Sequence, residues 1–599
     1  MSSGTPNQQR HPLAKSSVPD YGPPMAEINY QKPRSTYKSR HISLQSRVDS
    51  LGEKSMWDDR WSGPDIPNTY GNGRNASNEY LVNPMVSEIS GRDSQDEESR
   101  FLPSADGKSA ITPPPPESYS LNISTLHEVC FVGAVIMAQF MGLAGLAQGI
   151  APMNIIAESL NVTNPGEKAW FAAGFSLTVG TFILISGRIG DILGHKRVFV
   201  FGYFFLGSWS AFAGFGAYVG NQIFFDVCRA FQGIGAALLA PNALALLGRA
   251  YPPGIKKNIM FSLFGAMAPW GYVVGAASSS MFAQLAWWPW AYWSYGIAAW
   301  ALCAFAVVVV PVSLGHDAQF AGRSKPGMDW TGSFLGVIGL ILVNVAWNNG
   351  PLFGWDQPHV YFILIIGLIC LVGFVWVEAQ AISPLLPVKV MTSTVTYTMA
   401  LVGIGWGSFG IWIFYTWRFL EEIRGYTPLS VSAQFTPALI CGLLAAGATG
   451  FMLTHTPVPF TMMIAMAAFF LGQLITATQP VKQTYWAQMF VAILIMPFGM
   501  DMSFPAGTVI LSNHMPREHQ GLAASLVNTM VNYSISIALG IAGTVEVSVN
   551  NHGATEADLV LGIRSAWWVG VALAGFGVIL GALFFGRTWL KEGWKVEEH

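Results

Sequence analysis

Charged residues are scarce over most of this 599-residue chain. Residues 1–126 hold 13 of the 32 Lys and Arg and 15 of the 34 Asp and Glu, so only about 8% of the remaining residues are charged. Soluble domains carry roughly 25%. Apolar runs of about 20 residues, long enough to cross a bilayer, recur after residue 127. The sequence therefore excludes a soluble globular protein and predicts an all-α polytopic membrane protein embedded in a lipid bilayer.

Several other features are missing. The five cysteines lie in apolar segments without CxxC or Cys/His spacing, which argues against structural disulfides and against a metal site. A formal net charge of -2 provides no basic surface for nucleic acid. No G-x-x-x-x-G-K-[ST] loop, G-x-S-x-G turn or H-E-x-x-H motif occurs. We therefore expect neither a nucleotide-driven pump nor an enzyme, and no cofactor. The first residues lack an apolar signal-peptide core, so the first span is expected to direct insertion.

The remaining pattern divides the chain into a tail and a membrane domain. Residues 1–126 are rich in Ser, Pro, Asn and mixed charge, which predicts a disordered cytoplasmic tail. Within it, Arg40-His41-Ile42-Ser43 resembles a basophilic kinase target, although such spacing also arises by chance. We predict fourteen spans as 6+2+6: a first six-helix half in 127–311, a linker with two extra helices in 312–394, a second half in 395–587, and a cytoplasmic C-terminus at 588–599. The predicted spans are 128–150, 168–187, 198–218, 222–247, 258–281, 290–311, 331–347, 359–378, 395–418, 431–453, 460–478, 485–511, 521–545 and 564–585.

Loop charge predicts the orientation of these spans. An even number of spans leaves both termini on one side. If that side is cytoplasmic, the inner loops and C-terminus hold thirteen Lys and Arg and the outer loops hold four. The positive-inside rule therefore places both termini in the cytoplasm, in a protein of the cell membrane or of the vacuolar membrane. Asn161-Val-Thr163 is then the glycosylation sequon that falls in an outer loop.

An internal repeat indicates two related halves. Pro241 is followed eleven residues later by Pro252, at a helix end before a basic loop, and Pro505 and Pro516 repeat this arrangement 264 residues further on. Paired prolines can arise by chance, but the matched context favours duplication. Pseudo-symmetric halves around a midplane site are a transporter architecture.

The loop after the second span carries a glycine- and charge-rich motif. Glycines allow two helix ends to approach closely. We expect Asp191 at the start of the third span, where a carboxylate favours the helix dipole, or paired with a neighbouring cation so that it locks the cytoplasmic side. The plainer interpretation is a positive-inside loop with a helix cap. The residues assigned to this gating motif are Gly187, Asp191, Gly194, Lys196 and Arg197.

The fourth span carries a cluster of three polar residues, Asp226, Arg229 and Gln232. An arginine within a membrane is costly unless it faces water or a partner, so Arg229 indicates function. Gln232 lies one turn further on the same face, and Asp226 is the expected counter-ion. The alternative is that Asp226 and Arg229 extend to the outer interface. Gly233 and Gly235 offer a smooth packing surface.

Asp501 is a second intramembrane charge. It lies between Pro497 and Pro505, which can free backbone carbonyl groups locally. A carboxylate there could carry a proton or bind a cationic substrate. The structural alternative is that it caps a helix broken by proline.

The loop motif and the fourth span resemble the first two signature motifs of the major facilitator superfamily. Fourteen spans, with Asp329-Trp-Thr-Gly332 opening the seventh, resemble its fourteen-helix drug:proton antiporter branch. The tracts at 414–419 and 499–505 resemble the fungal aminotriazole-resistance and low-affinity ammonium transporter group. Two features depart from the pattern. Ile192 replaces the usual Arg, and the fifth-span antiporter signature keeps Pro269 with little else, although Gly271 and Gly275 are expected to preserve a close-packed hinge.

The resemblance implies the major facilitator fold, with a central cavity lined by the first, fourth, ninth and twelfth spans. Further cavity candidates are Gln139, Trp406, Trp412 and Arg418. Tyr415, Trp417, Trp287, Trp288 and Trp290 are expected first in the interfacial aromatic belt, and Glu421, Glu422 and Arg424 in a solvated outer loop.

The implied function is secondary active transport by rocker-switch alternating access. Proton-coupled efflux of a small toxic compound or fungal metabolite comes first, with a small-molecule substrate and protons as partners and a monomer as the assembly. Low-affinity uptake of ammonium or a similar solute is the alternative, and a non-transporting nutrient sensor is a remote one.

Overall fold

Long helices dominate the described part of the chain. The structure is a computed structural model that describes residues 123–251, 255–312, 327–381, 384–386, 391–514 and 520–594. Fourteen helices within these ranges are long and apolar enough to cross a membrane, which confirms the predicted number of spans. The predicted disordered tail, including Arg40 to Ser43, lies outside the described residues except for its last four residues.

The helices follow one another with short connections. Their bounds are α1 Thr125–Ile150, α2 Met153–Ser159, α3 Pro165–Leu193, α4 His195–Val219, α5 Gln222–Ala250, α6 Ile255–Leu285, α7 Pro289–Val309, α8 Trp330–Phe353, α9 Pro358–Gln380, α10 Ser393–Arg418, α11 Pro428–Gln434, α12 Pro437–His455, α13 Val458–Ala477, α14 Gln488–His514, α15 Gln520–Val549 and α16 Glu556–Glu592.

Polar caps fix where many helices begin. The side chains of Asn164, Asn221 and Asp329 accept hydrogen bonds from the first free backbone N–H groups of α3, α5 and α8. Between α3 and α4 the chain reverses at Gly194, whose φ of 96° is unfavourable for a residue with a side chain. These local signals explain why spans with little amphipathic character still have defined ends.

The long helices pack into two groups and an inserted pair. The first half consists of α1 and α3–α7, the second half of α10 and α12–α16, and the two meet mainly where α3 packs on α15 and α6 packs on α11 and α12. Helix α8 packs against both α3 and α15, whereas α9 packs mainly on α8 and leaves most of its surface exposed. We call the end of the bundle where α1 begins and α16 ends the proximal end, and the opposite end the distal end.

The repeat signal coincides with equivalent positions in the two halves. Pro241 lies nine residues before the last residue of α5, and Pro505 lies nine residues before the last residue of α14. Pro252 and Pro516 lie outside the described residues. The short helices α2 and α11 and a π-helical turn at Phe419–Ile423 were not predicted. Helix α16 continues to Glu592, past the predicted end of the second half at 587.

Candidate functional site

At the proximal end, the glycine-rich motif packs differently from the prediction. Asp191 lies in the last turn of α3, not at the start of the next helix, so the expected interaction with a helix N-terminus is wrong. Its Oδ1 lies 3.2 Å from His195 Nε2 and 3.8 Å from Arg249 Nη2. The Nδ1 atom of His195 lies 2.7 Å from Asn242 Oδ1. The expected pairing with a neighbouring cation is therefore present, within the first half.

The rest of this motif holds helix ends together. Lys196 donates hydrogen bonds to the carbonyl oxygens of Val307 and Val310 at the end of α7, and Arg197 is exposed. A Cβ atom on Gly187 would lie 3.5 Å from Ser525 Oγ on α15. The motif therefore approaches the second half at a glycine, and its gating role remains a prediction.

A second proximal cluster joins α1 to the loop after α5. The Tyr251 hydroxyl donates to Glu128 Oε1 at 2.8 Å, and Lys256 Nζ lies 2.6 Å from the same oxygen. Burial, and then the hydrogen bond to Glu128, raise the pKa of the Tyr251 phenol.

Arg229 is the polar hub of the first half. Its guanidinium is fully buried and donates to the carbonyl oxygens of Phe171 at 2.9 Å and Gly145 at 2.7 Å, and to Gln232 Oε1. Gln232 in turn lies 3.4 Å from Gln148 on α1. Arg229 thus links α1, α3 and α5, and neither it nor Gln232 faces open space in this conformation. The predicted role of the pair in proton coupling stays untested.

Asp226 does not pair with Arg229 as expected. Its Oδ2 accepts a hydrogen bond from Gln222 Nε2 at 3.2 Å, and its buried Oδ1 has no hydrogen-bond partner. The small residues on the same helix behave as predicted. A Cβ atom on Gly233 would overlap α3, and one on Gly235 would lie 2.6 Å from the backbone of Leu206 on α4.

Asp501 lies where the second half meets the first. It is inside α14, between Pro497 and Pro505, as predicted. A Cβ atom on Gly442 of α12 would lie 2.7 Å from Pro269 Cγ of α6 and 3.2 Å from Asp501 Oδ2. That carboxylate oxygen is buried and has no hydrogen-bond partner. The Asp501 carboxylate therefore abuts the close contact between α6 and α12.

The antiporter signature on α6 serves close packing. A Cβ atom on Gly271 would overlap the backbone of Phe140, and one on Gly275 would lie 2.5 Å from Ala144 Cα. Both glycines lie against α1, one helical turn apart. The expected close packing is present, and a hinge function remains a prediction.

The other cavity candidates divide between the core and partly exposed positions. Trp406 Nε1 donates to Ser503 Oγ on α14 at 3.1 Å, and Trp412 Nε1 donates to Thr476 Oγ1 on α13 at 2.8 Å. Both indoles are buried within the second half. Trp412 packs against α13 and is not a cavity residue. Gln139 is partly exposed in the middle of α1.

At the distal end, buried and partly buried charges connect the two halves. Arg418 Nη1 lies 2.8 Å from Glu546 Oε1, and Arg418 Nη2 lies 3.0 Å from Glu422 Oε2. Lys168 of the first half lies 3.1 Å from Glu422 Oε1. Glu421 accepts hydrogen bonds from Trp417 Nε1 and Asn154 Nδ2, both at 2.8 Å. We call these charged residues, Lys168, Arg418, Glu421, Glu422 and Glu546, the distal network.

The distal network corrects several predictions. Glu421 and Glu422 lie in the π-helical turn that extends α10 rather than in a solvated loop. Arg418 is an ion-pair partner rather than a cavity residue. Tyr415 and Trp417 are buried rather than in an aromatic belt, because their polar atoms bond Glu546 and the carbonyl oxygen of Ala151.

The three tryptophans around the start of α7 differ in exposure. Trp288 is buried, whereas Trp287 and Trp290 are exposed, as a belt requires. Asn161 is exposed on the turn between α2 and α3.

Two residues of the distal network were missed in the sequence. Lys168, at the predicted start of its span, was counted among the four outer-loop charges. Glu546, one residue beyond the predicted end of its span, was given no role. The signal that could have identified them was their position at the ends of two spans that meet across the halves.

Comparisons with known proteins agree with this architecture. The family model of the Major Facilitator Superfamily matches residues 130–410 and 397–597. The low affinity ammonium transporter of Saccharomyces cerevisiae is 53% identical over 79% of this chain and 92% of its own length. An efflux pump of Aspergillus terreus is 42% identical over 76% of this chain and 88% of its own length. The aminotriazole resistance protein of Saccharomyces cerevisiae is 38% identical over 78% and 85%.

Solved structures show the same fold at low sequence identity. A POT family peptide transporter superposes with a TM-score of 0.56 at 15% identity, and the match covers 78% of this chain and 99% of that one. The two halves, the inserted helices, the family match and these relatives lead to one conclusion. The chain belongs to the major facilitator superfamily and is a multi-pass membrane transporter of that class, not an enzyme.

Proposed function

We propose that this protein is a proton-coupled secondary transporter of a small nitrogen-containing solute, with Asp501 as its proton-binding group. The observation that carries the proposal is the Asp501 carboxylate, whose buried Oδ2 has no hydrogen-bond partner beside the α6–α12 contact. An ionised carboxylate without a partner is expensive in an apolar surrounding. Asp501 therefore favours binding a proton or a small cation in this conformation.

The position of Asp501 couples that binding to movement of the halves. Asp501 and Gly442 belong to the second half, and Pro269 belongs to the first. When the halves separate along α6 and α12, water reaches the buried Oδ2 atom and stabilises the charged form of the carboxylate. Proton release and the change of conformation are thereby linked, as alternating access requires.

Ammonium or a similar small solute is the first substrate candidate. The 53% identical relative is named a low affinity ammonium transporter, and a lone carboxylate between packed helices suits a small cation. Efflux of a toxic compound or fungal metabolite is the second candidate, supported by the relatives named as an efflux pump and an aminotriazole resistance protein.

The orientation also follows from charge. The proximal ends carry most of the Lys and Arg residues, so we place the proximal end and both termini in the cytoplasm. The distal end, with its network closed, then faces the cell exterior or the vacuole lumen. One chain supplies both halves of the helix bundle, which favours a monomer.

Accumulation of labelled methylammonium and labelled aminotriazole in transporter-deficient yeast tests the proposal. Wild type, Asp501→Asn and the exposed-site control Asp356→Asn would be compared at equal surface expression, with and without a proton uncoupler. We expect Asp501→Asn to abolish the uncoupler-sensitive part of the flux and Asp356→Asn to leave it unchanged.

The direction of flux separates the two substrate candidates. Raised methylammonium accumulation supports uptake, and lowered aminotriazole accumulation supports efflux. Flux that ignores both the uncoupler and Asp501→Asn would refute proton coupling through this residue.

A further inference from the structure

Two carboxylates meet at the proximal end of the inserted helices, away from Asp501. Asp329 precedes α8, and its Oδ1 accepts a hydrogen bond from Gly332 N at 2.8 Å. Glu378 lies near the end of α9, and its Oε2 accepts a hydrogen bond from Leu386 N at 2.9 Å. Each carboxylate thus uses one oxygen to fix the backbone beside it.

The second oxygen of each carboxylate has no partner. Asp329 Oδ2 and Glu378 Oε1 are both buried without a hydrogen bond, and the Glu378 residue is only 2% exposed. Both oxygens face Gly332. A Cβ atom there would lie 2.5 Å from Asp329 Oδ2 and 2.8 Å from Glu378 Oε1. Both oxygens therefore lie close to one point beside Gly332, where no side chain stands.

The described charges around this space form no ion pair with either carboxylate. Arg188 of α3 is the nearby cation, but its Nη2 donates to the Gly327 carbonyl oxygen at 3.0 Å, and its buried Nε has no hydrogen-bond partner. Among the described residues, neither carboxylate forms an ion pair with Lys or Arg, and no cluster of three or more metal-ligating side chains occurs. When two carboxylates share one site, each disfavours the ionised form of the other, so one of them favours binding a proton.

We propose that Asp329 and Glu378 form a proton-binding site, in which one proton is shared between Glu378 Oε1 and Asp329 Oδ2. One carboxylate takes up a proton, becomes a carboxylic acid, and donates a hydrogen bond to the other. The shared proton closes the α8–α9 pair at its proximal end. Loss of the proton leaves two like charges beside Gly332 and loosens that end.

The site also reaches the first half. Arg188 follows Gly187 in the glycine-rich motif and donates to the carbonyl oxygen of Gly327, shortly before α8, so the proton site lies beside the end of α3. Neither Asp329 nor Glu378 belongs to the two halves that hold the proposed transport proton. This site therefore provides a proton response separate from that of Asp501.

Infrared spectroscopy of the purified full-length protein tests the proposal directly. A protonated carboxyl group gives a carbonyl band that shifts in deuterated water and disappears when the proton is lost. We expect a band that is missing in both Glu378→Gln and Asp329→Asn and present in Asp501→Asn and Asp356→Asn. A wild-type spectrum whose carboxyl bands survive both substitutions would overturn the shared proton.

Thermal unfolding against pH provides a second readout. Because the folded state holds the proton, wild-type stability should fall as pH rises from mildly acidic to mildly alkaline. Glu378→Gln can donate the same hydrogen bond permanently, so it should remove this dependence and keep the low-pH stability. Glu378→Ala should lose stability at every pH.

A bound metal cation would behave differently. If sodium or potassium, compared with a bulky organic cation at equal ionic strength, raises the unfolding temperature of wild type but not of Glu378→Gln, the site holds a metal cation and the proton assignment is wrong. The proton assignment is also wrong if Glu378→Gln retains the full pH dependence of wild type.

Discussion

Lys168 and Glu422 form an ion pair between the two halves at the distal end, with 3.1 Å between Lys168 Nζ and Glu422 Oε1. The other ion pairs among described residues lie within one half. Both side chains are about 15% exposed, so the pair is screened less than a surface ion pair. Its partners within each half, Asn154 and Arg418, hold it in place.

Removal of this pair is expected to open the distal end. Lys168→Gln should cost the closed conformation about 1–3 kcal/mol, between the values for exposed and buried pairs. Ser432→Cys, placed where Ser432 contacts Ser280 across the halves, would serve as the reporter in a background without native cysteines. We expect labelling by an impermeant maleimide to increase several-fold.

The controls for this experiment use charges at the same end. Lys482→Gln removes an exposed distal lysine and should leave labelling unchanged. Exchange of the charges in Lys168→Glu with Glu422→Lys should restore part of the closed population. Equal labelling of Lys168→Gln and wild type would show that the pair does not hold the distal end closed.

Substitution of Arg229 should primarily lower the stability of the fold. Arg229→Met removes hydrogen bonds to Phe171, Gly145 and Gln232 and leaves buried acceptors without their donor, which costs about 3 kcal/mol or more. Arg229→Lys keeps the charge but cannot reproduce the planar arrangement of guanidinium donors. Its unfolding temperature should therefore lie between those of wild type and Arg229→Met. Unfolding temperature in detergent is the measurement, with Arg197→Met as the exposed control. An unchanged unfolding temperature for Arg229→Met would contradict the structural role.

Arg229 illustrates what the sequence could and could not predict. The cost of a charge in a membrane predicted that Arg229 is important, and the glycines beside it predicted close helix packing. The choice between a partner and a water-filled cavity depends on side chains from α1 and α3, and spacing along α5 does not encode them. The counter-ion prediction for Asp226 failed for that reason.

The distal network was not predicted from the sequence, because its residues lie at helix ends. Hydropathy predicted the number of spans because chain length within the bilayer is a local property. Helix ends are less certain, and Glu546 and Lys168 lie at such ends. A charge one residue outside a predicted span looks solvated, although a helix continued by another turn buries it against its partner. The pairing of Asp329 with Glu378 likewise depends on how α9 returns along α8.

Gly442 should be intolerant of even one methyl group. A Cβ atom there would lie 2.7 Å from Pro269 Cγ and 3.2 Å from Asp501 Oδ2. Because the proline ring is rigid, Gly442→Ala must push α6 and α12 apart, at about 1–3 kcal/mol. We expect a lower unfolding temperature and a reduced transport rate.

Gly447 offers a matched control on the same helix. A Cβ atom there meets nothing within 4 Å, so Gly447→Ala should be neutral or stabilising by up to about 1 kcal/mol, because alanine favours helix. If Gly442→Ala and Gly447→Ala have the same unfolding temperature and transport rate, the close contact at Gly442 does not determine how α6 and α12 pack.

Asn161 tests both modification and orientation. It is exposed, with φ 57°, on the turn between α2 and α3 at the distal end, and Thr163 of the same sequon is exposed too. Because the proposed orientation puts the distal end outside the cytoplasm, Asn161 should carry a glycan. Peptide N-glycosidase should then increase the gel mobility of wild type and have no effect on Asn161→Gln.

Asn75→Gln, in the tail sequon Asn75-Ala-Ser77, is the matched control and should behave as wild type. A mobility change lost in Asn75→Gln but kept in Asn161→Gln would place the tail outside and reverse the orientation, whereas an untreated wild type without any glycan would contradict modification at Asn161.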